Sequence, residues 1–184
     1  AASVASGSFL AFLGGAPFVA TDVCGLSPTV MGLYFGFPAL GYAAGNYMSG
    51  RFSTRFGLNT MVVAGTGLTL FGTALLMVIY MSFALHPALF FGFFIFVGLG
   101  NGLVIPNATA GMLSVRPHLA GTASGLGGAM MIGGGAALSA LAGLVLSPGS
   151  GPFPLLFLMC ATSVLAVVAI CVVIHRERAL GVAR

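Results

Sequence analysis

The chain contains no Lys, and its six Arg recur only after alternate hydrophobic stretches. Arg51 and Arg55 follow the second stretch, Arg116 the fourth, and Arg176, Arg178 and Arg184 the sixth. The connections between carry Asp22, His86 or no titratable group at all. Connections enriched in Lys and Arg stay on the cytoplasmic side of a membrane. Six spanning helices, with both ends of the segment in the cytoplasm, satisfy the alternation without exception.

Composition leads to the same place. Charged residues make up 4% of the 184 residues, against roughly 25% in soluble domains. Two acids and six Arg cannot coat a soluble surface of this size. The apolar segments must therefore face lipid. The formal charge of +4 is dispersed among connections, which argues against a nucleic-acid partner. Cys24, Cys160 and Cys171 show no CxxC or Cys/His metal spacing. Cys160 and Cys171 lie three helical turns apart, about 16 Å, too far to bridge. All three read as apolar packing residues. No basic segment precedes the first apolar run, so no signal peptide is recognised. Ala1 falls at the start of a span, and further chain is expected before it.

A spanning helix needs about 20 predominantly apolar residues. That criterion places spans at 2–21, 29–50, 59–81, 88–112, 121–146 and 153–174. Ser27 and Pro28 supply an N-cap and an N1 proline for the second. His86-Pro87 opens the fourth, Arg116-Pro117 separates fourth from fifth, and 147–154 form a Pro/Gly/Ser turn. The spans are of two kinds. Helices one, two and four carry Pro17, Pro38 with Asn46, and Asn101 with Pro106 and Asn107, while helix five is dense in Gly. The third and sixth lack such interruptions. The order is interrupted, interrupted, plain, twice over. Three helices reverse the chain direction, so the two triplets must be inverted relative to each other, as in many secondary transporters. The predicted fold is an all-α membrane bundle of six transmembrane helices in two inverted three-helix repeats, with no separate soluble domain.

Three groups of residues stand out. Asn101 and Asn107 flank Pro106 within a span, where an amide must find a partner or cost several kcal/mol. Pro106 also frees the carbonyl of Gly102. Together with Phe9, Phe12 and Tyr34, these amides are expected to line a cavity for an amphipathic small molecule, the alternative being hydrogen bonds that glue the bundle. Gly121, Gly125 and Gly128 form a stripe on helix five that Gly135 continues. Small residues let backbones approach closely in lipid, for static packing or as a surface along which a neighbouring bundle rocks. Asp22 is placed in a solvated connection, and Glu177 is expected to pair with the flanking Arg176 and Arg178. His86, His118 and His175 all fall at helix ends, leaving no evident catalytic base.

The stretch from Gly45 to Gly57, with Arg51 and Arg55 in a cytoplasmic loop, resembles the signature loop of the major facilitator superfamily. Ser49 stands near the place of that signature's usual acid, a departure common in the C-terminal copy. Gly45, Arg51, Arg55 and Gly57 are accordingly expected to form a cytoplasmic gate. Ser6-Gly7-Ser8 with Ala16-Pro17-Phe18-Val19, Ile105-Pro106-Asn107-Ala108-Thr109-Ala110 and Ala120-Gly121-Thr122-Ala123-Ser124-Gly125 sharpen the match. In that order they resemble the C-terminal half of bicyclomycin-resistance (Bcr/CflA-type) drug:proton antiporters of the bacterial inner membrane. The resemblance implies a twelve-helix exporter of small amphipathic drugs working by alternating access. It also implies that an N-terminal six-helix half is this segment's partner and that the acids handling protons lie mainly there.

Two other classes compete with this reading. An intramembrane protease would need a Ser nucleophile and a His within spans, and Ala123-Ser124-Gly125 is only a near match. No His-Glu-x-x-His occurs for a zinc version. The chain is therefore read as no enzyme, with no cofactor and no metal. A stand-alone six-helix protein acting as a dimer is the other alternative.

Overall fold

The computed structural model describes residues 2–82, 86–115, 117–147 and 149–179, and all of its regular elements are helical. Helix α1 (Ala2–Phe18) passes Pro17 and continues as a π-helical turn through Val19–Val23. Helix α2 (Pro28–Tyr34) is followed across Phe35 by α3 (Gly36–Phe56). Then come α4 (Leu58–Ser82), α5 (Pro87–Val115), α6 (Ala120–Val145) and α7 (Phe153–Ala179). The pair α2–α3 makes one column, so the described residues form six. Four helices, α4 to α7, are each long and apolar enough to cross a bilayer.

Local chemistry explains the boundaries. Ser27 Oγ accepts the Val30 N–H at 3.4 Å, with Pro28 opening the helix where its missing donor costs nothing. His86 Nδ1 accepts the Ala88 N–H at 3.2 Å and starts α5 in the same way. Gly57 ends α3 at φ +83°, a conformation that a side chain rarely adopts. The expected loop after residue 50 is instead helix: Arg51 and Arg55 sit on the last two turns of α3. Falling hydropathy ends a span, but only a breaker ends a helix, and none intervenes before Gly57. Helix α7 likewise runs on through Arg176, Glu177 and Arg178. Arg116 and Arg184 lie outside the described residues.

The helix pairing carries the symmetry expected of two inverted triplets. Count the columns one to six, α2–α3 being the second. The main packings are α3 on α5, α4 on α5, α1 on α6, α1 on α7, α4 on α7 and α1 on α5. Exchanging each column for the one three places on turns the first packing into the third and the second into the fourth. It leaves the last two unchanged. The slight contacts α3–α4 and α6–α7 also exchange, whereas the slight contact α5–α6 has no counterpart of similar extent between α1 and α2–α3. The chain is a six-helix membrane bundle of two inverted triplets.

The core has two apolar centres. One, around Phe12, Phe90, Phe91, Phe94, Leu155 and Leu156, lies toward the end that carries Asp22 and His86. The other, Val62, Val104, Ala166 and Ile170, lies toward the arginine end. Between them the helices bury polar groups: Thr66, Thr69 and Thr73 on α4, Asn101 on α5, Thr162 and Ser163 on α7. The threonines satisfy themselves by donating to carbonyls three or four residues back, Thr73 to Thr69 O at 2.9 Å among them. Ser8 of α1 ties across to α7, within 2.9 Å of both the Thr162 and Ser163 hydroxyls.

Candidate functional site

The aromatic residues grouped in the sequence do come together, but as core. Phe12 is fully buried, its ring centroid 3.9 Å from Phe94 and 5.2 Å from Phe35. It borders neither of the two cavities described below. Its position on α1 points at α5, where four Phe rings cross, so the aromatic density that suggested a pocket fills one. Phe9 and Tyr34 lie at the edge of the cluster and are partly exposed; Tyr34 stacks on Phe91 at 5.1 Å.

The two amides divide. Asn101 is buried, and its Nδ2 donates back to Val97 O at 3.0 Å, leaving Oδ1 without a partner among the described residues. Among the described residues it bonds no other helix, and it borders neither of the two cavities described below. The carbonyl freed by Pro106 belongs to Gly102, which is itself packed against Tyr42 and Gly45 of α3 rather than facing open space. Asn107 both bonds another helix and borders a cavity. Its Nδ2 donates to Ser49 Oγ on α3 at 2.7 Å and to Leu103 O at 2.7 Å, while the residue forms part of a cavity wall.

That cavity, ≈ 350 Å³, opens at the arginine end between α4, α5, α6 and α7. Apolar side chains dominate it, including Met112, Met130, Met131, Ile170 and Val173. A second cavity of ≈ 640 Å³ adjoins it and is bordered by Ser53, Thr54, Thr60 and Ser114. Asn59, Gly111, Val115 and Glu177 border both. Asn59 Nδ2 donates to Glu177 Oε2, joining the start of α4 to the end of α7. Glu177 was expected to pair with Arg176 and Arg178. Neighbours one apart on a helix do not face each other, and that rule was the available signal against the pairing. Asn59 and the methionines carried no sequence signal of a site.

The expected gate residues lie at the same end. Gly45 is buried in the α3–α5 contact, and Ser49, in the place of the signature acid, is the acceptor for Asn107. Arg51 and Arg55 are exposed; Arg55 lies 5.4 Å from the ring of Phe56, and neither forms an ion pair among the described residues. Of the small-residue stripe, only Gly135 packs within the bundle, against the Leu10 side chain. A Cβ on Gly121, Gly125 or Gly128 would meet nothing within 4 Å, because that side of α6 turns away from the other helices. Asp22 is exposed, as expected, but it lies within the π-helical turn rather than in a connection.

Comparison with known proteins agrees with this architecture. No solved structure matches. A Bacillus subtilis (strain 168) protein described as the uncharacterized MFS-type transporter YdgK is 29% identical over 138 residues, covering 75% of this chain and 34% of that protein. The matched stretch thus spans about a third of the relative's length. The family model of the Major Facilitator Superfamily matches residues 1–183. The chain belongs to the major facilitator superfamily of membrane transporters.

Proposed function

We propose that this chain supplies one six-helix half of a proton-coupled exporter of small amphipathic drugs, resident in a bacterial inner membrane. The observation that carries the reading is the exchange symmetry of the helix packing. Two inverted triplets build the alternating-access unit of secondary transporters, with the substrate held where the repeats meet. Its partner is a second, N-terminal six-helix half. The protons are handled mainly in that half, because the two acids of this one, Asp22 and Glu177, stand at helix ends. Phe9, Tyr34 and Asn107 are the residues of this half that reach the substrate path. Their exposed aromatic edges and one amide suit amphipathic molecules. Drug export in particular rests on the resemblance of the Pro106-Asn107 and Gly121-Thr122 strings to bicyclomycin-resistance antiporters.

The arginine end is cytoplasmic. Cys at position 51, 55 or 176 then resists an impermeant thiol reagent in intact cells, and Cys at 86 or 149 reacts. Arg51 and Arg55 hold the cytoplasmic gate through contacts with the other half. Planar guanidinium contacts do not survive replacement by Lys, whereas topology anchoring does. Intact transport in both Arg51→Lys and Arg55→Lys leaves them the anchoring role alone.

The function is tested by expressing the full reading frame in a strain stripped of its own drug exporters. Efflux of a cationic dye that stops on addition of a protonophore is the expected result. Efflux indifferent to the protonophore removes the proton coupling, and no efflux of any amphipathic compound removes drug export.

A further inference from the structure

We propose that the two adjoining cavities at the arginine end are one binding site for an amphiphile with an ammonium head. Its apolar chain enters between α5, α6 and α7, and its head lies against Glu177. Polarity is graded along the cleft. The inner chamber of ≈ 350 Å³ is walled by Met112, Met130, Met131, Ile170 and Val173. The outer one of ≈ 640 Å³ presents the hydroxyls of Ser53, Thr54, Thr60 and Ser114. The inner volume falls within the range of about 300–1,000 Å³ typical of small-molecule sites.

Each part of the cleft is suited to this ligand class. Unbranched Met side chains re-pack around different apolar shapes, and such surfaces recur at promiscuous sites. Room for Met112 exists because Gly127 is bare: a Cβ there would stand 2.5 Å from the Met112 methyl carbon and 2.6 Å from its sulfur. Where the chambers join, Glu177 is the one acid among the described lining residues. Asn59 occupies its Oε2, and Oε1 has no hydrogen bond among the described residues. A half-buried carboxylate with a free oxygen at the mouth of an apolar chamber favours a cation over a neutral head. Asn107, whose recorded bonds are both made by Nδ2, keeps its Oδ1 as a deeper acceptor.

The shared chemistry is an alkyl ammonium, which an aminophospholipid of the bilayer or a free amphipathic amine supplies. The inference rests on the transport reading only for the purpose of the site. Binding is measured without transport, so either can fail alone.

The test places the full-length protein in phosphatidylglycerol nanodiscs and irradiates it with a diazirine-bearing alkylamine or the matching alcohol. Mass spectrometry should find the amine on peptides containing Met112, Met130–Met131 or Val173, at about five times the yield of the alcohol, the scale of a half-exposed ion pair. Glu177→Gln, which still accepts the Asn59 amide, should erase the preference while leaving the alcohol yield unchanged. Val173→Phe, filling the chamber from α7, should lower both yields. Added phosphatidylethanolamine that competes identifies the lipid source; undiminished labelling identifies the free amine. Equal yields for amine and alcohol in the parent protein, or an amine preference that survives Glu177→Gln, overturn the proposal.

Discussion

The α3–α5 and α1–α6 interfaces both join one triplet to the other and are exchanged by the symmetry of the packing, yet they are closed by different means. At the first, backbone meets backbone. A Cβ on Gly41, Gly45, Gly98 or Gly102 would fall within 3 Å of main-chain atoms of the facing helix. At the second, bare Cα atoms receive side chains: Gly7 faces Leu138, and Gly135 faces Leu10, with only Gly14 against the main chain, at Ser139. Main chain cannot move without its helix, whereas the end of a Leu can rotate. One inter-repeat interface is locked and the other has slack, although the two are topological equivalents. Fold symmetry therefore fixes which helices touch, and the residue at each crossing fixes how firmly.

The largest effect is expected where the lock is tightest. Gly45→Ala should destabilise the bundle by about 3 kcal/mol, the upper range for overpacking, since the facing atoms are the Leu99 carbonyl and the Gly102 backbone. Denaturation in mixed micelles measures it. A near-neutral Gly45→Ala would break the comparison, because it would mean that α3 and α5 separate freely. Gly135→Ala is the matched change on the other side and should cost about 1 kcal/mol, the lower end for overpacking. Leu10→Ala added to it should recover part of that loss, since the obstruction is a single side chain.

Asn107→Ala sharpens the contrast from the polar side. It removes the one side-chain hydrogen bond between α3 and α5 among the described residues, to Ser49. Interhelical hydrogen bonds in membranes contribute about 0.6 kcal/mol on average. A loss of that size, with drug resistance altered unevenly among compounds, fits a residue that both joins helices and borders a ligand path. A uniform loss of resistance tracking lower protein level would leave only the joining role.

How much of this was legible in the sequence follows from what a membrane helix encodes. Pro, Gly and capping residues mark breaks directly, and Ser27-Pro28, His86-Pro87 and Gly57 sit where the helices begin and end. The arginine alternation and the repeated order of interrupted and plain helices pointed to the inverted triplets. Rotation about each helix axis was not legible. In water an amphipathic stripe shows which face is buried, but α1, α5 and α7 are apolar all round, so nothing distinguishes a core Phe from a cavity Phe. The burial of Phe12 and Asn101 was not legible for that reason. Glycine has the same ambiguity: Gly135 and Gly125 look alike along α6, and only the fold separates the packed one from the bare one.

That separation yields the smallest expected change in stability and the clearest reading of α6. Gly125→Ala places a methyl group where no atom lies within 4 Å, so within this bundle it should shift stability by less than about 0.5 kcal/mol. It also exchanges Gly for a better helix former, which works in its favour. If the open face of α6 meets only lipid, transport by the full-length protein stays intact as well. If it is the surface on which the other half rocks, the added methyl separates two closely approaching backbones and transport falls while the bundle remains as stable as before. Measuring both quantities on Gly121→Ala, Gly125→Ala and Gly128→Ala distinguishes the cases. Unchanged transport in all three would mean that α6 does not slide on its glycine face, leaving Gly135 as the stripe's packing residue.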